Sequence, residues 1–406
     1  MPASGPGLPA LLCMLGAACA GTPPPPAADA NPAHPVPQAP QPVIVRAPTP
    51  DIPTRRRPSG RPRALNLGDT ATDPILTSPS AQEDAIADRV AWWLDYWQTR
   101  AADRFVRALV RMGRYEDYID AELAARGLPP SLRYLPIIEA SYYPRADSPA
   151  GAGGLWQFMP ATARWLGIEV GPLVDQRYDP YVATPRALDY LASLHEQFGS
   201  WFLALAAYNG GPGRLRRILS EYESERPWAD DVFHRIRHRL PFETRDFIPK
   251  YLAAVRLARD PASFGLAEHS REPPQSFDVV DVAGPASIDV IAGAAGSGEE
   301  EVRLLNPHLV LGLTPAGATT AVRVPRGSGT GFEARFAAIP EGDRVTYAHH
   351  RVNPGETLSG IARSYRVSLR DLRAANPEVE PRLLQIGTVL VIPRAPGNRS
   401  GTPLPG

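Results

Sequence analysis

The sequence has almost no cysteine and no net charge. Only Cys13 and Cys19 occur among its 406 residues, both within the first twenty positions. A disulfide scaffold, a cysteine-ligated zinc site and a cysteine nucleophile are therefore excluded from the folded body. The 43 Lys and Arg residues balance 43 Asp and Glu residues. This balance gives no preference for nucleic acid or an anionic membrane surface, so we expect no nucleic-acid partner.

Long apolar runs are missing as well. The stretch from Leu8 to Ala20 is apolar but too short to span a bilayer, and it predicts an export signal over residues 1–20. Cys19 is placed as the lipidated residue of a bacterial lipoprotein signal would be. Residues Ala18 to Ala20 also fit an ordinary small-x-small cleavage site. We therefore expect an exported protein, and leave open whether Cys19 is acylated and provides a lipid anchor.

Residues 21–80 are rich in Pro and Ala and show almost no hydrophobic periodicity. Such a segment cannot bury enough apolar surface to offset the entropy of ordering, so it predicts a disordered tether. The last residues, 395–406, predict a disordered tail.

Residues 81–265 have a strongly helical pattern. Apolar residues recur at three- and four-residue spacing along Ile86, Val90, Trp93 and Trp97. Further along, Thr184 and Pro185 predict the start of a helix that ends at Gly199. We expect an all-α domain here.

Residues 276–326 and 346–394 contain an internal repeat, in which each copy reads strand, helix, helix, strand. Asn306-Pro307 in the first copy corresponds to Asn376-Pro377 in the second. Each copy is about fifty residues long, which is near the lower limit for a self-supporting core. The chain as a whole is therefore predicted to have several domains, with the helical one first.

Three motifs in the helical region carry the candidate chemistry. Glu139 lies near the end of an apolar helix, followed by the segments 154–160 and 206–211, which are rich in amide, aromatic and hydroxyl groups. Burial raises the pKa of a carboxyl group, so Glu139 is suited to donate a proton to a glycosidic oxygen. Asp147, Asp175 and Asp179 are the other carboxylates nearby, but the last two sit in a segment, 175–180, that is typical of a turn between helices. The eight histidines are scattered, and neither a metal site nor a cofactor is predicted.

With these motifs in order, residues 81–265 resemble the catalytic domain of bacterial membrane-bound lytic transglycosylases of the D type, which has a goose-lysozyme-like fold. Residues 346–394 resemble a LysM peptidoglycan-binding module, and residues 276–326 a degenerate one. The resemblance implies a periplasmic protein, a monomer, that acts on the glycan strands of peptidoglycan.

The resemblance also implies roles for individual residues. Glu139 is the single acid/base catalyst. The residues expected to contact substrate in the cleft are Ser141, Gly154, Leu155, Gln157, Phe158, Met159, Ala207, Tyr208, Asn209 and Phe247. The residues expected to contact glycan in the LysM module are Gly355, Glu356, Thr357, Leu358, Leu383, Leu384 and Ile386.

Two positions depart from the family pattern. The family usually has Ser after the catalytic Glu, whereas this chain has Ala140 and places Ser141 one residue later. Neighbouring helical residues point about 100° apart, so Ser141 is not expected to replace that serine. Phe247 stands where the family has a tyrosine near the glutamate, so a hydroxyl is missing there too.

Hydrolytic glycosidases usually need two carboxylates, whereas the cleft motifs offer one. One is enough if the substrate supplies its own nucleophile, and the resemblance implies a 1,6-anhydro product made in this way. A muramidase that uses water, and a catalytically impaired wall-binding protein, are the alternatives.

Overall fold

The structure is a computed structural model. It describes residues 73–171, 173–222, 228–266, 269–365, 367–376, 379–380 and 383–393. All of these belong to the compact unit that spans Pro58–Gly406. The predicted export signal with Cys19, the predicted tether up to residue 72 and the predicted tail lie outside the described residues.

The first part of the described chain is helical, as predicted. Its α-helices are α1 (Asp84–Thr99), α2 (Ala102–Met112), α3 (Glu116–Arg126), α4 (Leu135–Ala140), α5 (Pro160–Trp165), α6 (Pro180–Phe198), α7 (Trp201–Gly210), α8 (Pro212–Tyr222), α9 (Asp230–Ile236) and α10 (Phe242–Arg259).

Helix α7 lies at the centre of the helical core. Every residue from Trp201 to Ala207 is buried, and α7 packs against α6 and α10. A helix that is apolar on all sides needs such surroundings, since any exposed face would leave hydrophobic surface in water. Ser200 caps its start by accepting a hydrogen bond of 3.2 Å from the backbone NH of Leu203.

Folded structure begins earlier than the predicted boundary at residue 81. Ile75 is fully buried in the helical core, and Asp73 accepts a 2.9 Å hydrogen bond from the backbone NH of Ser131. Residues 73–80 were assigned to the tether because their sequence has no periodicity. One buried side chain and one buried carboxylate bond are enough to attach so short a segment.

The predicted start of the helix at Thr184 is wrong. Helix α6 begins at Pro180, and Asp179 is the N-cap, accepting from the backbone NH of Tyr181 at 3.0 Å. Pro185 lies inside the helix, where its missing NH leaves the Tyr181 carbonyl without its usual partner. The Tyr118 hydroxyl donates to that carbonyl at 3.0 Å. A contact between distant segments thus lets the helix continue through a proline.

The second part of the described chain contains two small units. The first module comprises β1 (Phe277–Ala283), α11 (Ile288–Ala295), α12 (Glu299–Leu305) and β2 (Thr319–Pro325). Helix α13 (Phe332–Ala337) follows it, and the second module then comprises β3 (Tyr347–Arg351), α14 (Leu358–Ser364), α15 (Leu369–Ala374) and β4 (Val389–Pro393). In each module the two strands pair antiparallel, with Phe277 opposite Pro325 and Tyr347 opposite Pro393.

Each module has a buried asparagine at the corresponding position, Asn306 or Asn376, and the two make the same hydrogen bonds. This correspondence supports the internal repeat. Asn306 donates to the Arg323 carbonyl at 2.6 Å and accepts from the Arg323 NH at 2.9 Å. Asn376 makes the matching pair with Val391, both at 2.7 Å. In each module, one asparagine side chain therefore links the end of the second helix, α12 or α15, to the last strand.

Among the described residues, no helix is both long and apolar enough to cross a membrane, and no group of His, Cys, Asp or Glu could hold a metal ion.

Candidate active site

Glu139 lies in the last turn of the short helix α4. Pro136 occupies the first turn, where a missing NH costs nothing, and the helix ends because Ser141 and Tyr142 adopt left-handed backbone angles, φ 48° and 55°. The Tyr142 hydroxyl donates to the Arg133 carbonyl at 2.5 Å and helps hold this unusual turn. The carboxyl group of Glu139 is thereby fixed at the end of a buried helix.

Burial raises the pKa of Glu139 from its ordinary 4.5 to about 7. The nearby Lys250 opposes this rise, and Glu243 adds to it. The side chain is half-buried, so it keeps some contact with the outside of the protein. A carboxyl group with this pKa carries a proton for much of the time near neutral pH, as a general acid requires.

Lys250 of α10 lies beside the helix that carries Glu139. Its Nζ donates to the Ile138 carbonyl at 3.1 Å and lies 5.5 Å from the centre of the Trp93 ring. Burial lowers the pKa of Lys250, and the Glu139 carboxylate acts in the opposite direction. Lys250 is therefore the positive charge that opposes the rise in the pKa of Glu139.

Ser141 does not take over the role of the missing serine at Ala140. Its hydroxyl accepts a hydrogen bond from Arg104 Nε at 3.1 Å, and its carbonyl accepts one from Arg111 Nη1 at 3.0 Å. Ala140 is buried. The structure thus places Ser141, two residues after Glu139, in contact with two arginines of α2.

The loop between Gly151 and Met159 is held by Arg177. Arg177 Nη1 donates to the Gly151 carbonyl at 2.8 Å and to the Phe158 carbonyl at 3.0 Å, while Asp175 accepts from Nη2 at 2.7 Å. Gly154 has φ 86°, and a Cβ added there would come within 1.8 Å of the Arg177 carbonyl oxygen. Glycine is required at this position by close backbone approach as well as by the left-handed angle.

Gln157 is bent back onto its own loop. It has φ 49°, and its Nε2 donates to the carbonyls of Ala146 and Gly154 at 3.0 and 2.9 Å. These bonds orient the side-chain carbonyl and strengthen the turn. Leu155 and Phe158 are buried, whereas Met159 is 43% exposed. Of these four expected contact residues, Met159 and Gln157 are the two that retain exposed surface.

The third motif lies at the end of α7. Tyr208 donates to the Trp156 carbonyl at 2.6 Å, which joins the second and third motifs. Burial raises the pKa of Tyr208 well above its ordinary value, and the Glu139 charge raises it further. Asn209 accepts from Thr244 Oγ1 at 2.9 Å, and Ala207 is fully buried behind them. The three motifs are therefore brought together around Glu139.

Phe247 is buried in α10, three residues before Lys250. A tyrosine stands at this position in the family, so this chain lacks that hydroxyl. Asp246, its neighbour, accepts from Arg89 Nη2 and from Trp93 Nε1, both at 3.0 Å, and joins α10 to α1.

Several residues that build the site were not predicted from the sequence. No role was predicted for Lys250 or Thr244, and Arg177 lay in a segment that was predicted to be a turn. The signal for Arg177 was its place between Asp175 and Asp179, since a buried arginine needs carboxylate or carbonyl partners. Asp147 accepts from the Tyr178 hydroxyl at 2.6 Å, and Asp175 and Asp179 bind arginines, so these three carboxylates are committed to structural contacts.

In the second module, the expected glycan contacts lie on two neighbouring segments. Gly355 and Thr357 are exposed, Glu356 is half-buried and Leu358 is buried. Leu383 and Ile386 are 72% and 67% exposed, and Leu384 is half-buried. Leu383 and Ile386, three residues apart, therefore expose apolar surface to water, as binding surfaces often do.

Comparisons with known proteins match both regions. The family model for the transglycosylase SLT domain matches residues 117–230, and the model for the LysM domain matches residues 350–393. Membrane-bound lytic murein transglycosylase D of Escherichia coli (strain K12) is 27% identical over 278 residues, which cover 66% of this chain and 61% of that protein.

Two further relatives cover shorter parts. The soluble lytic murein transglycosylase of Escherichia coli (strain K12) is 34% identical over 121 residues, or 28% of this chain and 18% of that protein. The match to the crystal structure of the 70 kDa soluble lytic transglycosylase from Escherichia coli covers 36% of this chain and 24% of that protein's chain. Its sequence identity is 28% and its TM-score is 0.30.

The two family-model matches agree with the order of the cleft motifs and with the helical core followed by a strand-containing LysM region, and the predicted fold class, lysozyme-like and multidomain, is confirmed. The chain therefore carries a transglycosylase SLT domain at residues 117–230 and a LysM domain at residues 350–393, and over 66% of its length it is similar to a membrane-bound lytic murein transglycosylase D.

Proposed function

We propose that this chain is a peptidoglycan lytic transglycosylase, which cleaves the β-1,4 bond between N-acetylmuramic acid and N-acetylglucosamine and leaves a 1,6-anhydro end. The observation that carries this proposal is the single carboxyl group of Glu139, whose pKa is raised to about 7 at the end of a buried helix. Asp147 is bound to tyrosine, and Asp175 and Asp179 are bound to arginine, whereas Glu243 acts on Glu139 by raising its pKa.

In the first step, protonated Glu139 gives its proton to the glycosidic oxygen as the bond to C1 breaks. The 2-acetamido carbonyl of the muramic acid stabilises C1 as an oxazolinium-like intermediate. Glu139 then removes the proton from the 6-hydroxyl of the same sugar, whose oxygen bonds to C1 and closes the ring. Since this attack is intramolecular, its effective concentration exceeds that of bulk water for a well-held substrate.

The raised pKa suits both steps. Near pH 7 the carboxyl group gives up a proton and takes one back with little energetic cost in either direction. Lys250 limits the rise in pKa, so that the ionised form remains accessible for the second step. Neither step requires a cofactor or a metal.

Gln157, Met159, Tyr208 and Asn209 are proposed as the residues that contact the glycan near Glu139, with Ser141, Gly154, Leu155, Phe158, Ala207 and Phe247 forming the walls behind them. The second module is proposed to bind glycan through Gly355, Glu356, Thr357 and Leu358 and through Leu383, Leu384 and Ile386. A weak module on the same chain raises the local concentration of enzyme on a polymeric wall. The protein is proposed to act in the periplasm as a monomer, with Cys19 as a possible site for a lipid anchor.

Mass spectrometry of muropeptides released from purified sacculi tests the reaction. Anhydro ends, lighter by one water than reducing ends, are expected from the wild-type protein, and Glu139→Gln should release almost none. Reducing ends would instead identify a hydrolytic muramidase. Equal release by wild type and Glu139→Gln would exclude Glu139 as the acid.

A catalytically impaired wall-binding protein is the second candidate, because Ala140 and buried Phe247 both lack a hydroxyl near Glu139. It predicts binding to sacculi without release of fragments by the wild-type protein.

A further inference from the structure

The two modules share the buried asparagine that bonds to the last strand, Asn306 or Asn376, but their loops differ. In the first module, these loops are hydrogen-bonded to each other. The Thr314 NH donates to the Ala286 carbonyl at 3.0 Å, and the Ala286 NH donates to Thr314 Oγ1 at 2.8 Å. The Ile288 NH donates to the Gly312 carbonyl at 2.9 Å. Backbone groups that would otherwise face a ligand at the start of α11 are therefore already paired.

The segment that links the two modules covers the same place. The Ser287 NH donates to the Arg344 carbonyl at 2.8 Å, and the Thr346 NH donates to Ser287 Oγ at 3.1 Å. The Tyr347 hydroxyl donates to the Gly312 carbonyl. Chain from outside the module thus occupies the start of α11 and the loop opposite it.

The corresponding surface of the second module is open. Leu383 follows Asn376 by seven residues, as Leu313 follows Asn306 in the first module. Leu383 is 72% exposed, whereas Leu313 is only 9% exposed. The same position is therefore a surface residue in one copy and a packed residue in the other.

The closed module is attached to the helical domain by a docking seam, which we define as the contacts of residues 145 and 173–181 with residues 308–310 and 323. Its backbone part resembles a short strand pairing. The Asp175 NH donates to the His308 carbonyl at 2.9 Å, and the Val310 NH donates to the Leu173 carbonyl at 3.0 Å. Arg145 Nη2 donates to the Val310 carbonyl at 3.1 Å.

A buried ion pair completes the docking seam. Arg323 Nη1 lies 2.9 Å from Asp179 Oδ2, and both residues are buried. The guanidinium group also lies 4.7 Å from the centre of the Tyr181 ring. A buried carboxylate needs such a partner, so Asp179 depends on the first module for its charge balance.

The docking seam continues directly into the cleft. Asp175, whose NH bonds to the first module, also holds Arg177, and Arg177 holds the carbonyls of Gly151 and Phe158. The carbonyl of Arg177 lies against Gly154. The loop that carries Gln157 is therefore connected to the first module through Asp175 and Arg177.

We propose that the first module does not bind glycan and instead positions the Gly151–Met159 loop of the cleft through the docking seam. The expected change in kcat rests on the proposed function, whereas the expected change in the loop itself does not. It makes Arg323 and Asp179 positioning residues, since neither contacts the substrate.

The test uses the full chain with Asp179→Asn and Arg323→Met combined. Both charges are removed together, so no unpaired ion is left buried, and asparagine still accepts from the Tyr181 NH. On a short soluble glycan of four sugars, we expect kcat to fall by roughly tenfold or more, because a displaced loop misplaces the sugar at Glu139. In a Glu139→Gln background, retention on sacculi should stay within about twofold of the parent, because the second module is unchanged.

Arg323→Lys is the conservative control, and it should recover most of the kcat because it keeps a cation opposite Asp179. Arg145→Met removes a single bond of the docking seam and serves as a milder variant should the double variant fail to fold. Loss of sacculus retention with unchanged kcat would overturn the proposal and identify a glycan-binding module. A lower melting temperature with unchanged kcat and retention would also overturn it, since the module would then only add stability.

Hydrogen exchange gives a readout that does not depend on activity. The amides of Gly153 and Phe158 bond across the loop at 3.0 and 3.1 Å, and they should exchange roughly tenfold faster in the double variant. The Val391 amide in the second module should be unaffected. Unchanged exchange at Gly153 and Phe158 would refute the inference. An inactive wild-type protein with the expected exchange pattern would refute only the proposed function.

Discussion

Lys250 Nζ donates a 3.1 Å hydrogen bond to the carbonyl of Ile138, the residue that immediately precedes Glu139. This bond joins α10 to the last turn of α4, where backbone carbonyls lack partners within the helix. The same ammonium group lowers the pKa of Glu139, which burial raises to about 7. One lysine therefore affects both the position of the catalytic helix and the protonation of its carboxyl group.

Replacing Lys250 with methionine should raise the pH at which activity is lost on the alkaline side, which we call the alkaline limit. The acid form of Glu139 is required, so activity of the wild type should fall as the pH rises through about 7. Without the ammonium group the pKa of Glu139 rises further, and the fall should occur at higher pH. The measurement is kcat/KM as a function of pH, with Lys250→Arg as the control that keeps a cation. An unchanged limit in Lys250→Met would show that the lysine charge does not act on Glu139.

Glu139→Gln should make the protein more stable at alkaline pH. A carboxyl group whose pKa is 4.5 when unfolded and about 7 when folded favours the folded state only while it is protonated. That contribution is complete below pH 4.5 and is lost as the pH rises through about 7. Glutamine has no charged form to bury. The free energy of unfolding of the variant minus that of the wild type should therefore be about 3 kcal/mol larger at pH 8 than at pH 4. Thermal unfolding at the two pH values measures this, and Glu333→Gln, at an exposed position of α13, is the matched control. A difference that does not change with pH would contradict the raised pKa.

Phe247→Tyr should lower the pKa of Glu139. The family tyrosine at this position can donate a hydrogen bond near the carboxylate, and such a bond favours the charged form. The alkaline limit of kcat/KM is therefore expected at lower pH than in the wild type. Phe247→Leu controls for the altered packing of this buried side chain. If Phe247→Tyr and Phe247→Leu have the same pH profile, the added hydroxyl does not reach Glu139.

Gly154→Ala should be far more damaging than Gly151→Ala. Both glycines have φ 86°, so each substitution costs about 1 kcal/mol of backbone strain. At Gly154 the new methyl group would also lie 1.8 Å from the Arg177 carbonyl, whereas nothing lies within 4 Å of it at Gly151. We expect an additional loss of about 3 kcal/mol or more, because backbone on both sides would have to move. Chemical denaturation of the two variants measures the difference. Equal stabilities would mean that the loop can relax away from Arg177.

Leu383→Asp combined with Ile386→Asp should weaken binding to sacculi by roughly tenfold, because the two exposed apolar side chains form the centre of the proposed contact. Turnover of a short soluble glycan should be unchanged. Val279→Asp, at a 51% exposed position of the first module, is the matched control and should leave binding intact. Normal sacculus binding by the double variant would place the glycan surface elsewhere.

Several structural features could be predicted because they depend on local patterns. The helical region was recognised from apolar residues at three- and four-residue spacing, and the βααβ repeat from its strands and its two Asn-Pro pairs. Glu139 was recognised because a carboxyl group among apolar residues has a raised pKa and is suited to donate a proton. These signals survive in the sequence because each one arises from residues close together along the chain.

The errors arose where distant segments decided the outcome. Residues 73–80 have no periodic pattern, and they fold because Ile75 and Asp73 reach partners in the helical core. Helix α6 continues through Pro185 because Tyr118, from another helix, satisfies the carbonyl that proline leaves unpaired. Arg177 could be read as part of a turn, but its role in holding the cleft loop depends on carbonyls at positions 151 and 158.

The residue types and their spacing establish the chemistry available to this protein: one carboxyl group in apolar surroundings, amide and hydroxyl groups in two further motifs, and two copies of a small module. Only the tertiary structure decided how that chemistry is tuned and which copy remains open. The pKa of Glu139 depends on burial by many residues and on Lys250 far along the chain, and the first module is closed by the contacts of Arg344 and Thr346 with Ser287. Burial and charge pairing are properties of residues that meet in space, so spacing along the chain does not reveal them.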